Sequence, residues 1–171
     1  MNKYTRAYSL LWELCNKYPN FKKIIESNLL NGKIRFFEDE EWNKIKSQNF
    51  VSPVKEINEF EYLFILGYNI GNCVGTSRQL SYSYNNVDIV SGILPILKGT
   101  LNAEKEGGHC WLETPTSIID TSLMLVIDKS IKDEIGYIEE QRVTHLQLLT
   151  SKNYQARKDF VNDINLRRKK I

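Results

Sequence analysis

Cys73, His109 and Asp120 are the residues of this chain whose types and order could do chemistry together. A thiol becomes a nucleophile once it sheds its proton, an imidazole can take and return that proton, and a carboxylate can hold the imidazole in the useful tautomer. Cys73 follows Gly67-Tyr68-Asn69-Ile70-Gly71-Asn72, in which Gly67 and Gly71 interrupt the preceding helical pattern. Asn72 offers a cap for a new helix running from Cys73 through Tyr84. In the first turn of that helix, unpaired amides and the helix dipole favour negative charge, hence thiolate over thiol. The same amides could donate to an oxyanion in acyl transfer. A lone cysteine is more often a small core hydrophobe, so its partners decide.

His109 lies in Gly107-Gly108-His109-Cys110-Trp111-Leu112-Glu113, and Asp120 ends Ser117-Ile118-Ile119-Asp120. Read as a hairpin with His109 directly opposite Asp120, these segments set Trp111 opposite Ile118 and Leu112 opposite Ser117. That register encloses a four-residue loop, Glu113-Thr114-Pro115-Thr116, in which Pro suits a type I turn. Opposite side chains share a face with Cβ atoms about 4.5–5.5 Å apart, so a His–Asp pair follows from ordinary strand geometry. The plainer alternative is a histidine packed beside Trp111 and an aspartate capping a turn.

A cysteine opening a helix, a strand bearing Gly-His-x-Trp-x-Glu, and a neighbouring strand ending Ile-Ile-Asp-Thr together resemble the transglutaminase-like branch of the papain-like fold. The resemblance covers about Gly67–Ile127 and implies Cys73 as nucleophile, His109 as general base and acid, and Asp120 as the residue orienting His109. Gly108, Trp111 and Glu113 fit neighbouring motif positions, with Trp111 expected to pack more than react. The resemblance also implies an oxyanion donor upstream of the cysteine. Asn69 is a candidate and Asn72 a second, although Asn72 has the competing task of capping the helix; Trp111 is a further residue of the expected cleft. The activity implied is a cysteine-dependent hydrolase acting on a peptide or amide bond through an acyl-enzyme. Acyl transfer to an amine, of transglutaminase or arylamine acetyltransferase type, uses the same triad. A catalytically silent interaction domain is the third reading. No cofactor is expected, and the implied partner is a peptide or protein substrate.

The remaining candidates are weaker. Cys110 should point away from His109, because adjacent strand residues alternate faces, and Cys15 lies on the apolar stripe of the first helix. A Cys73/His109/Cys110 metal site is disfavoured by that same alternation, so none is expected. His145 in Val143-Thr144-His145-Leu146 is the only alternative base and reads as a surface or turn residue.

The elements that must position these side chains read as α+β, with helices first and a small antiparallel sheet after them. Tyr4, Tyr8, Leu11, Trp12 and Cys15 fall on one helical face, with Tyr18-Pro19-Asn20 as its stop. A second helix is expected over Phe21–Leu30, a short third from Asp39 carrying Trp42 and Ile45, and a further start at Ser52-Pro53. Val87–Leu97 reads as an edge or bulged strand on account of Gly92 and Pro95, and Leu123–Ile127 as another strand. Glu134–Arg142 is ambiguous between a strand pair and a short helix. Asn153–Lys170 reads as a closing amphipathic helix with a basic end. The 171 residues suit one domain, with a helical part at 1–66, a core at 67–150 carrying the candidate chemistry, and the C-terminal helix at 151–171.

Composition narrows the classes. At 42% hydrophobic and 26% charged the chain can build a core and stay in solution. A net charge of +2 argues against a dedicated nucleic-acid coat. No run approaches the roughly 18 apolar residues of a membrane span. No apolar stretch with a small-residue cleavage site follows the N-terminus, so a cytoplasmic protein is expected. Three cysteines, an odd count with no regular framework, exclude a stapled secreted mini-fold at this length, and the lack of a C-x-x-C pair argues against a structural zinc site. The abundance of Asn, Ile and Lys resembles proteins of AT-rich bacteria or their phages.

Overall fold

Phe21, Ile25 and Asn28 recur at helical spacing and are the buried face of the second of two N-terminal helices, α1 (Ser9–Lys17) and α2 (Pro19–Leu30). In this computed structural model the described residues are 9–41, 44, 73–81, 84–100 and 107–144. Pro19 does more than stop the first helix. Extended Tyr18 separates the two, and Pro19 opens α2 at its first turn, where a missing N–H costs nothing. The buried face of α1 is Leu10, Leu11, Leu14 and Cys15, whereas Trp12, expected on that face, is 40% exposed and packs edgewise near Phe36. A helical turn does begin at Asp39, but Trp42 and Ile45 lie outside the described residues, as do Tyr4, Tyr8, the Ser52-Pro53 start, His145 and the whole of 151–171.

Six antiparallel strands form one sheet: β1 (Ile34–Phe36), β2 (Asp88–Ile93), β3 (Gly108–Glu113), β4 (Ser117–Asp120), β5 (Leu125–Asp128) and β6 (Ile138–Val143), in the order β1-β5-β4-β3-β2-β6. Helix α3 (Cys73–Leu80) packs on β3, where the Ser77 hydroxyl donates to the Cys110 carbonyl at 3.2 Å. A short helix, α4 (Lys132–Ile135), precedes β6 and meets α2 through Asn28, whose amide donates to Glu134 at 3.3 Å. Apolar side chains from α1, α2, α3 and the sheet form one buried cluster. The mixed α+β class is therefore as expected.

Three strand assignments change. β1 was hidden by its length, since three residues carry too little periodicity to stand out. β2 is interior, flanked by β3 and β6, and Pro95 sits just beyond it at the start of a 3₁₀ turn, where it removes no ladder bond. Leu123 and Met124 belong to a turn before β5, not to the strand. The ambiguous 134–142 segment is divided between α4 and β6.

Pairing of β2 with β6 shifts between Ser91 and Gly92, but the extra residue, Glu140, stands on β6, so β2 itself is neither the edge nor the bulged strand expected. A Cβ on Gly92 would stand 1.9 Å from the Ile138 carbonyl oxygen and 3.0 Å from the Glu140 nitrogen, both backbone atoms that cannot swing aside. Gly92→Ala should therefore detach the start of β6 and lower stability by at least about 2 kcal/mol. Urea unfolding of the two proteins checks this, and an unchanged midpoint would show that β6 is held without the close approach.

Candidate active site

The hairpin that carries His109 and Asp120 forms in a register two residues from the expected one. Leu112 pairs with Ile119 and Glu113 with Ile118, which sets Trp111 across from Asp120 and leaves His109 on the diagonal. The cause is the turn. Thr114 N–H donates to the Ser117 carbonyl at 2.8 Å, while the Thr114 hydroxyl accepts from Ser117 N–H at 2.9 Å, so only Pro115 and Thr116 form the loop. Neither takes a positive φ, so this two-residue loop needs no primed turn. A two-residue slip preserves the face on which every side chain stands, whereas a one-residue slip would have reversed it. His109 Nε2 and Asp120 Oδ2 accordingly still meet, at 2.7 Å across the diagonal.

Asp120 has no exposed surface and is met by four donors. Its Oδ2 accepts from His109 and from the Tyr137 hydroxyl at 2.6 Å, and its Oδ1 accepts from the backbone N–H groups of Ser122 and Leu123, both at 2.9 Å. The last two bonds close the turn 121–124, where Met124 takes a left-handed φ of 57°. Burial alone would raise the Asp120 carboxyl; the charge and hydrogen bond of His109, with Tyr137 and Leu123, take it below its ordinary 3.8. For His109, burial works against the charged ring, and the Asp120 charge overcomes it and holds the imidazole well above its ordinary 6.5.

Cys73 is the first residue of α3 and half-buried. Its thiol faces the His109 ring and adds to the hold on the imidazole proton. Because Asp120 takes Nε2, the ring nitrogen left for the thiol is Nδ1. The helix is shorter than expected, ending at Leu80 rather than Tyr84. Thus the thiol, the imidazole and the carboxylate are brought together from α3, β3 and β4. Cys110 and Cys15 are buried core residues. Among the described residues no group of three His, Cys, Asp or Glu side chains gathers at metal-binding spacing. Asn69 and Asn72 lie outside the described residues.

Trp111 is not a cleft residue. It is fully buried and its indole N–H is donated to Glu113 at 2.9 Å, so it packs rather than offering a donor to an oxyanion. Glu113 in turn is a second buried carboxylate, gripped by Lys132 at 2.6 Å, Arg142 at 2.7 Å and Lys129 at 3.1 Å. Desolvation opposes its charge, but Lys132, Trp111, Arg142 and Lys129 together hold it down to about 2. Arg142 also reaches Asp88, the cross-strand neighbour of Glu113, and so relieves the repulsion of two acids in one row.

Residues absent from the sequence-based set are Tyr137 and the three cations. Tyr137 is buried, lies stacked 6.4 Å from the His109 ring and tilted 4.8 Å from that of Trp111, and donates to Asp120. A single aromatic residue after Gly136 carries no local signal of this task. Comparison of the chain with family models, with curated proteins and with solved structures finds no match.

Two measurements follow from these carboxylates. Glu113 and Asp120 are held below their ordinary 4.5 and 3.8, so their stabilisation is present above those values and drains as pH falls. His109 is raised above 6.5, so its contribution is complete below that value and declines as pH rises toward the folded value. Unfolding free energy should therefore be greatest between pH 4.5 and 6.5. Denaturant titrations across pH test this, and His109→Gln should flatten the alkaline decline. Glu113→Ala should cost about 3 kcal/mol, the low end for a broken buried pair because the cations keep a path to water. Calorimetry reads that loss, and a melting temperature within error of wild type would show that the cluster contributes nothing net.

Proposed function

We propose that this protein is a cysteine-dependent hydrolase of peptide or amide bonds, with a papain-like, transglutaminase-like arrangement of its core. The observation that carries the reading is the convergence of the Cys73 thiol, the His109 ring and the buried Asp120 carboxylate from three separate elements. Cys73 Sγ attacks the acyl carbon as a thiolate paired with the His109 imidazolium. Negative charge on the carbonyl oxygen is met by backbone N–H groups at the start of α3, which have no acceptors within the helix. His109 then gives its proton to the leaving amine, and the C–N bond breaks to leave a thioester on Cys73. Water, deprotonated by His109, cleaves that thioester and restores the thiol. Asp120 keeps Nε2 occupied throughout, so that proton traffic is confined to Nδ1. Acyl transfer differs only in an amine replacing the water.

The burial of the site supports a second reading. His109 and Asp120 side chains are 2% and 0% exposed, as a purely structural ion pair would be, and Cys73 alone of the three is half-buried. In that reading the domain binds without reacting. Substrate in the first reading must approach from the Cys73 side.

Iodoacetamide labelling followed by mass spectrometry separates the two. Preference for Cys73 over Cys15 and Cys110 decides nothing by itself, because those two are buried and protected by access alone. The informative readout is the pH profile. Labelling of Cys73 that persists well below pH 8 and falls at least about tenfold in His109→Ala is expected of a thiolate–imidazolium pair. An ordinary thiol profile, identical in the variant, would overturn the hydrolase reading and leave the binding domain. With an activated Cys73, release of acid against capture by added amine distinguishes hydrolysis from transfer.

A further inference from the structure

Asp120 Oδ2 is a shared acceptor. Two donors, His109 Nε2 at 2.7 Å and Tyr137 Oη at 2.6 Å, end on the same oxygen in a site with no exposed carboxylate surface. Donors to one oxygen compete for its charge: each bond accepted leaves less negative potential for the other. The fold delivers Tyr137 to this point by two backbone devices. Gly136 takes a φ of 104° at the end of α4, which reverses the chain, and Gly92 lets β6 approach closely enough to hold the next residue, Ile138. The ring is then fixed between His109 and Trp111, which aims the hydroxyl at Asp120 Oδ2.

We propose that Tyr137 is a positioning residue of the candidate triad, sharing Asp120 Oδ2 with His109 and thereby setting both the seat of the imidazole and how firmly it keeps its proton. The inference rests on the hydrolase reading for its purpose, but its physical content is independent of it. An imidazole held by an undivided buried carboxylate would cling to its proton and serve poorly as the acid that releases the amine. A carboxylate divided between two donors still orients the ring and holds the proton less tightly. Among the described residues, Asp120 from β4, Cys73 from α3 and the Tyr137 ring face His109, and Tyr137 feels Asp120 together with Glu113 from β3. Glu113 is already neutralised by Lys132, Lys129 and Arg142, so the principal partner open to change is Asp120.

The test is the titration of the His109 ring nitrogens by NMR in the full chain, with His145→Gln assigning the two histidines. Tyr137→Phe keeps the ring and removes the hydroxyl, so the His109 midpoint should move up by about half a pH unit, the scale expected for losing one hydrogen bond to a charged group shared among four. Replacing Tyr137 with 3-fluorotyrosine, a more acidic phenol of nearly the same shape, should move it down. The fluorinated protein carries the test alone if the Phe variant does not fold. A His109 midpoint unmoved in a folded variant overturns the proposal, because a merely structural tyrosine would change stability without changing the ring. Failure of the hydrolase reading shows elsewhere, in an ordinary Cys73 labelling profile, and leaves these titrations readable.

Discussion

A carboxylate sealed from water must be met by donors on its lone pairs, and around Asp120 that requirement organises the molecule. Its Oδ1 ties down the turn between β4 and β5, and its Oδ2 ties β3, through His109, to the residue that leads into β6, Tyr137. Three segments, β3, the corner between β4 and β5, and the approach to β6, are therefore fastened at one carboxylate. The charge is tolerated because the imidazole opposite it carries the complementary proton, and each stabilises the charged form of the other. Removing any one donor would leave one lone pair of a buried carboxylate unmet.

A second buried acid repeats the logic on β3, four residues beyond His109. Glu113 stands on the same sheet face as His109 and Trp111, and Trp111 is common to both clusters: it donates to Glu113, packs against Tyr137, and lies under the Lys132 ammonium, 5.7 Å from the ring centroid. The segment from Lys129 to Arg142 thus roofs the whole row, with cations over Glu113 and a phenol over Asp120. The difference in partner is a difference in chemistry. Permanent cations lock a carboxylate in place, whereas a titratable imidazole leaves a proton that can move. One face of the β3–β4 pair in this way holds a carboxylate locked by cations beside one paired with a titratable ring.

Much of this was open to reading from spacing. The strands around His109 and Asp120 and the helix opening at Cys73 lie where local pattern put them, because turn residues and alternation act over a few positions. The hairpin register did not. It turned on whether Thr114 spent its hydroxyl inside the turn, a choice between two loops of comparable cost that residue types leave open. The His–Asp meeting survived the error since strand faces repeat every second residue. Trp111 shows a converse limit: its place in the motif was legible, but the capture of its N–H by Glu113, which removes it as a donor, depended on where the indole came to lie.

The sequence by itself determined the α+β class, the chemical identities of thiol, imidazole and carboxylate, and the sheet face on which the last two stand. Those follow from periodicity, turn chemistry and side-chain type, all local properties. Only the tertiary structure decided that β2 is interior, that three residues at Ile34–Phe36 close the sheet, and that Tyr137 and three cations are partners of Asp120 and Glu113. Strand order and long-range pairing reflect which whole faces bury together, a free energy spread over many distant residues. A single tyrosine 17 positions beyond its carboxylate leaves no trace of that in its neighbours.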